Sequence, residues 1–238
     1  MRLTIRLRLG LTVLLVLFGL VGLSWATLEV AEGVLQSAAF EKLSALREVK
    51  AGRIENYFET IEDQIVSLSE NLMIVEAMSA FAGAFDEVEG APPRQQVLAY
   101  LTDEYLPRIP EELRPDDPVS LLPGSEAGVI LQDRYIASND SPVGSKDELE
   151  SAGVDRYDEL HRRYHPVIRG FLQRFGYYDI FLVEPEEGRV VYSVFKEADY
   201  ATSLSTGPYR ESGLADAFRA GRDAPSAQAT SAPSHSVT

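Results

Sequence analysis

Apolar side chains recur at Leu43, Leu46, Ile54, Tyr57, Ile61, Ile65, Leu68, Leu72 and Val75, and no proline interrupts residues 29–85. Spacing by threes and fours puts them on one stripe of a long amphipathic helix. Glu41, Lys42, Glu48, Lys50, Glu62 and Asp63 fall on the other, solvated faces. A helix of that length cannot bury its stripe alone, so the pattern predicts partners from the same chain or a homodimer with the helices side by side. Directly upstream, residues 9–28 (LGLTVLLVLFGLVGLSWATL) hold no charge. Twenty residues rising 1.5 Å each give about 30 Å, the thickness of a bilayer's hydrocarbon core. Arg2, Arg6 and Arg8 precede the run and Glu29 follows it, with Trp25 where an interfacial aromatic would anchor the outer end. The positive-inside rule then keeps the N-terminus in the cytoplasm and exports the rest. The competing reading is a cleaved signal peptide, since Ser24-Trp25-Ala26 has the small-x-small form of a cleavage site. The length of the run and the helical pattern continuing through that site favour an uncleaved anchor, and either way the bulk lies outside the cytoplasm.

Further along, Gly90-Ala91-Pro92-Pro93 ends the helical pattern, and residues 94–106 resume it with Val97, Leu98, Leu101 and Tyr105 facing inward. Pro107, Pro110, Pro115, Pro118 and Pro123 make 107–128 a rigid non-helical connector. Residues 132–137 (QDRYIA) read as a short extended piece, and 138–144 as a turn-rich loop. A third helix over 154–175 lines up Tyr157, Leu160, Tyr164, Ile168, Phe171 and Phe175, with Pro166 inside to kink or divide it and Gly176 to stop it. Two β-rich runs, 178–184 and 189–195, flank Pro185-Glu186-Glu187-Gly188 and predict a β-hairpin. Ile180 and Leu182 alternate with Phe181 and Val183, so both faces of the hairpin should be covered. A loop over 196–208, a weak amphipathic helix over 209–220 and a disordered tail over 221–238 complete the reading. The fold class is α+β and mostly helical: a membrane helix continuous with a long stalk helix, and a helical layer on a small, incomplete antiparallel sheet.

Composition narrows the function. The formal net charge of −15 argues against nucleic acid, whose phosphates demand a basic face. With no cysteine there is no disulfide framework, thiolate nucleophile or cysteine-based zinc site. No nucleophile elbow, P-loop, HExxH or dinucleotide fingerprint is present, and the paired acids Glu186-Glu187 and Asp116-Asp117 fall in turns where charges are simply solvated. No enzyme activity and no cofactor are expected.

Three stretches carry a resemblance: residues 42–71, residues 131–152, and residues 157–220, the last including FGYYDIFLV at 175–183 and VYSVFKEADYATSL at 191–204. They resemble the extracytoplasmic, PAS-like (Cache-type) sensing region of bacterial chemoreceptors, membrane adenylate cyclases, phosphatases and histidine kinases. The resemblance implies a periplasmic domain on the inner membrane, between two spans, followed by a HAMP linker and a signalling module. Residues 221–238 supply neither further strands nor a second span, so the expectation is a truncated sensor whose hairpin keeps an unpaired edge. The expected organisation is a cytoplasmic segment (1–8), a transmembrane helix (9–28), a sensor region (29–220) and a tail (221–238). The expected function is small-ligand sensing, with the signal passing through the stalk helix. The alternatives are a membrane-anchored interaction protein or a remnant without function.

Two groups of residues are candidates for chemistry. His161 and His165, four apart on a helix, could share a metal, but Arg162 and Arg163 beside them disfavour a dication, so packing or surface roles are expected and no metal. Tyr178, Tyr192, Lys196 and Asp199 combine aromatic walls with charges that would fix a ligand's orientation, and the resemblance places a ligand at this sheet. A Lys or Arg facing the pocket would select an anionic ligand such as a carboxylate. The plainer reading sets the tyrosines against the helical layer and leaves residues 196–199 as a solvated loop.

Overall fold

The computed structural model describes residues 5–153 and 155–224. Part of the expected cytoplasmic segment (1–4), Val154 and most of the expected tail (225–238) lie outside the described residues. The chain divides into two compact units, Met1–Thr60 and Ile61–Thr238.

The first unit is described by helix α1, Ile5–Ser69, whose last turns belong to the second unit. Leu35, Phe40, Leu43, Leu46, Ile54 and Tyr57 are all more than half exposed, as expected of a helix stripe that no described residue covers. Within α1, Leu14–Trp25 is a short apolar stretch, but among the described residues no single helix is long and apolar enough to cross a membrane.

In the second unit the helical pattern does not run unbroken to Phe85. It stops at Ser69, and Asn71 takes an extended conformation (φ −68°, ψ 121°) and caps a new helix, α2 (Leu72–Asp86), by accepting a hydrogen bond from the Met73 amide. Asparagine competes well for a cap because its short side chain replaces the missing intrahelical acceptor. The break lets α2 bury Ile74, Ala77, Phe81, Ala84 and Phe85. Helix α3 (Arg94–Tyr100) continues as a π-helical turn, Leu101–Tyr105, and a 3₁₀ turn, Leu106–Arg108. The proline-rich connector follows, with only short 3₁₀ turns until Ser125 caps helix α4 (Glu126–Gln132) through the Gly128 amide.

Residues 132–137 are not extended. They continue α4 as a π-helical turn, Asp133–Ala137, because Leu131 with Tyr135 and Gln132 with Ile136, each pair one helical turn apart, all reach the core. Helix α5 (Arg156–Phe175) begins with a full capping box, Asp155 and Asp158 each binding the other's backbone amide. It stays one element through Pro166 and ends at Gly176 in the left-handed conformation (φ 73°). Of the expected stripe Tyr157, Tyr164 and Ile168 are buried and Leu160 and Phe171 pack against the core, but the buried face is wider and also takes in Asp158, His161, His165 and Leu172, while Phe175 is exposed.

The hairpin forms as the alternation requires, with β1 (Phe181–Val183) antiparallel to β2 (Val190–Ser193) and Leu182 opposite Tyr192. The Glu184 carboxylate accepts from the Glu186 and Glu187 amides and holds the turn. Gly188 closes it at φ 68°, where an added Cβ would meet Ser205 Oγ at 2.6 Å and Phe218 at 2.9 Å. The outer edge of β2 is paired by the segment after it: Thr202 accepts from Val190, and the Leu204 amide donates to Gly188. The outer edge of β1 has no strand among the described residues. Helix α6 (Gly213–Asp223), capped by Ser212, covers one face of the hairpin through Leu214 and Phe218. Helices α2 and α5 cover the other, with Phe81 5.1 Å from the rings of both Tyr157 and Tyr192.

Candidate functional site

The second unit holds a buried polar cluster where α5, β2, the α4 extension and the loop after β2 converge. Each element supplies its share for a local reason. Tyr192 alternates inward from β2, and His161 and His165 lie one turn apart on the buried face of α5. Tyr135 comes from the π-helical turn. The loop carrying Lys196 is folded by two residues in the left-handed region, Lys196 (φ 58°) and Ala201 (φ 61°), a conformation non-glycine side chains rarely adopt. It is clamped by Gln132, whose side-chain amide donates to the Ala198 and Tyr200 carbonyls at 2.9 and 2.8 Å. Gly128 permits the close approach: a Cβ there would lie 2.5 Å from the Ala201 carbonyl oxygen.

Lys196 sits at the centre, 1% exposed. Its ammonium donates to the Ser193 carbonyl at 2.6 Å and the Val194 carbonyl at 3.3 Å. It lies 4.8, 5.6 and 5.7 Å from the ring centres of Tyr192, Tyr135 and Tyr200, a cation held by three π-faces. Burial pulls the amine down to about 7, against the pull of the Asp179 and Asp147 carboxylates. The tyrosines are themselves anchored: Tyr157 donates to the Val191 carbonyl at 2.6 Å, Tyr200 to the Tyr157 hydroxyl at 2.8 Å, and Tyr135 to Asp158 at 2.7 Å.

The two histidines stack at 4.4 Å. The Asp147 carbonyl, 2.7 Å from His165 Nε2, can only accept, so the proton is on Nε2 and the Tyr192 hydroxyl donates to Nδ1 at 2.7 Å. By the same argument His161 carries its proton on Nδ1, which donates to the Glu150 carbonyl at 2.6 Å. His161 Nε2 is then a buried lone pair without a hydrogen-bond donor. Burial and the Lys196 charge keep both rings neutral, with His165 lowered to about 3.

Two carboxylates approach from the other side. Asp179 Oδ1 accepts from the amides of Ile180 (2.6 Å), Val194 (2.9 Å) and Phe195 (3.3 Å), tying the hairpin's open end, while its Oδ2 has no partner. Burial raises it to about 6 despite those three donors. Burial, then the negative charges of Asp179 and Glu197, raises Asp199 to about 7, and its Oδ1 is likewise unpaired.

Of the four residues singled out from the sequence, Tyr192 and Lys196 are in direct contact, whereas Asp199 shares no hydrogen bond or ion pair with either and lies under the charges of Asp179 and Glu197. Tyr178 is elsewhere: it is 76% exposed and donates to the Glu197 carboxylate at 2.8 Å. Residues 196–199 are thus not a solvated loop, since Lys196 and Ala198 are buried. Sequence reasoning missed Tyr135, Tyr157 and Tyr200 as walls and His161 as a free acceptor. The signal was the histidine pair four apart, which lies beside the apolar stripe and widens the buried face of α5. Among the described residues no group of His, Cys, Asp or Glu could hold a metal ion.

Around Lys196 the arrangement offers a cationic donor bonded to two carbonyls and, under its charge, two unpaired acceptors, His161 Nε2 and Asp179 Oδ2, groups that could hold a small polar molecule by directed hydrogen bonds. No family model, no curated protein and no solved structure matches this chain.

Proposed function

We propose that this chain is the extracytoplasmic sensing region of a bacterial membrane signal-transduction protein, of the PAS-like, Cache-type kind. In this reading it binds a small polar ligand at the Lys196 cluster. Residues 9–28 anchor it in the inner membrane, and α1 carries the signal, with the stalk helices of a homodimer side by side. The observation that supports it is the caged ammonium of Lys196 together with two buried acceptors that have no partner, His161 Nε2 and Asp179 Oδ2, both within reach of its charge. Buried polar groups are almost always paired in a folded chain, so unpaired acceptors near a buried cation invite a ligand to complete them. Sensing needs only that the ligand bind two arrangements of the helix with different affinity.

A thermal-shift screen of the full chain with amino acids and small carboxylates tests this. A ligand present at a hundredfold over its Kd should stabilise the fold by about 2.7 kcal/mol. The rise should vanish in Lys196→Met and Asp199→Asn. Uniform silence across the screen from a folded protein, or a shift that both variants retain, would remove the sensing reading.

A further inference from the structure

We propose that the open edge of β1 receives an extended apolar segment of another polypeptide, flanked by basic residues, as an added strand. This does not rest on the ligand reading, since it uses different atoms on a different part of the hairpin.

The backbone supplies the first argument. The Ile180 carbonyl accepts from Val194 and the Glu184 amide donates to Arg189, so the even-numbered residues turn their polar groups toward β2. In an antiparallel pair this alternates, so the amides and carbonyls of Phe181 and Val183 point away from β2, to the side where no strand lies among the described residues. Such an edge is a template for one more strand.

Shape supplies the second. Two adjoining, mainly apolar grooves run along β1 and share Ser69, Ile74, Phe181, Leu182, Val183 and Pro185 in their walls. A groove of about 550 Å³ opens on the α6 side, lined by Ile65, Leu68, Phe181, Leu214 and Phe218. Another of about 500 Å³ opens on the α2 side, lined by Ile74, Val75, Met78, Ala82 and Leu182. Side chains of a strand point alternately to opposite faces, so a strand laid beside β1 would drop successive side chains into the two grooves in turn. A compact small molecule would fill one groove and leave the backbone edge unmet. Because both grooves are apolar, the added strand must be apolar at consecutive positions, like a strand buried on both faces.

Charge supplies the third. The charged residues lining the α2-side groove are Glu184, whose carboxylate is already taken up by the turn, and the exposed Glu186, while Asp179 and Arg222 line the α6-side groove. On a chain of net charge −15 this end of the groove selects basic residues beside the apolar core.

The test uses the full chain in lipid nanodiscs and a fluorescent peptide with a Val-Ile-Val-Ile-Val core between paired lysines. The peptide should bind, should slow hydrogen exchange of the Phe181 and Val183 amides at least tenfold, and should weaken as salt is raised. N-methylation of alternate core amides should weaken it at least tenfold, as should Ile65→Asp, a change at a part-exposed helix position that leaves the fold in place. Replacing the lysines by glutamates should abolish binding. Absence of binding, equal binding of the N-methylated peptide, or protection of the two amides by self-association in sedimentation experiments without peptide would each overturn the proposal.

Discussion

At Lys196 the ammonium has exchanged its hydration for two carbonyls and three rings, and burial lowers its folded pKa to about 7 from the ordinary 10.5 of a lysine. The unfolded chain therefore binds a proton that the folded chain releases, and stability should rise between pH 7 and 10.5 as that penalty is relieved. Lys196→Met fills the cage without a charge, so the variant should lose this alkaline rise, a difference of about 1–3 kcal/mol in urea unfolding between pH 7 and 9.5. Asp199 works in the opposite sense. Its folded pKa is raised to about 7 from 3.8, so the carboxyl adds stability while protonated and loses it as the pH climbs through that window. Asp199→Asn should accordingly stabilise the fold at pH 8 by about 1–3 kcal/mol and change little at pH 4. A denaturation midpoint that moves equally at both pH values would show the effect to be packing, not charge.

Among the elements, those legible in the sequence were the ones whose cause is local. The hairpin could be read because period-two alternation flanks a Pro-Glu-Glu-Gly turn, and α5 because its stripe and the stop at Gly176 agree. What escaped depends on long-range contact. Nothing within residues 132–137 says that Gln132 will clamp the loop around residues 198–200, yet that contact is part of what makes the segment helical and not extended. The break at Asn71 was open to reading, since Asn is a strong capping residue, but the apolar spacing ran across it from Leu68 to Leu72 and masked the signal. The site followed the same rule: Tyr192 and Lys196 flank the end of a readable strand, whereas Tyr135 reaches them only because the α4 extension is a π-helical turn. The cap is directly testable. Asn71→Ala leaves the first amides of α2 without their acceptor and should cost about 1 kcal/mol in urea unfolding, while Asn71→Ser should cost only a few tenths.

For the whole molecule, the two units are built on different principles. The second unit buries a continuous core, whereas the first shows Leu43, Leu46, Ile54 and Tyr57 to solvent along a single helix. An isolated helix gains most of its stability in proteins from packing an apolar face, so the first unit is expected to pair with a second copy. Single cysteines placed from residue 43 to residue 58, in a chain that has none of its own, should give disulfide-linked dimers with a period of three to four residues. Crosslinking without that period, or none at all, would leave the exposed stripe to another partner.

Gly128 has a consequence for finding this protein's relatives. The space where its side chain would be is taken by the Ala201 carbonyl oxygen and by Pro123, 2.7 Å away. No residue with a Cβ can stand there while the loop bearing Lys196 keeps its place. Gly188 is held to glycine for another reason, a φ of 68° that side chains rarely adopt, with the Ser205 and Phe218 side chains crowding the place of a Cβ. Two glycines sixty positions apart, each excluded from drift by a different part of the chain, form a signature that would outlast similarity in the surrounding residues.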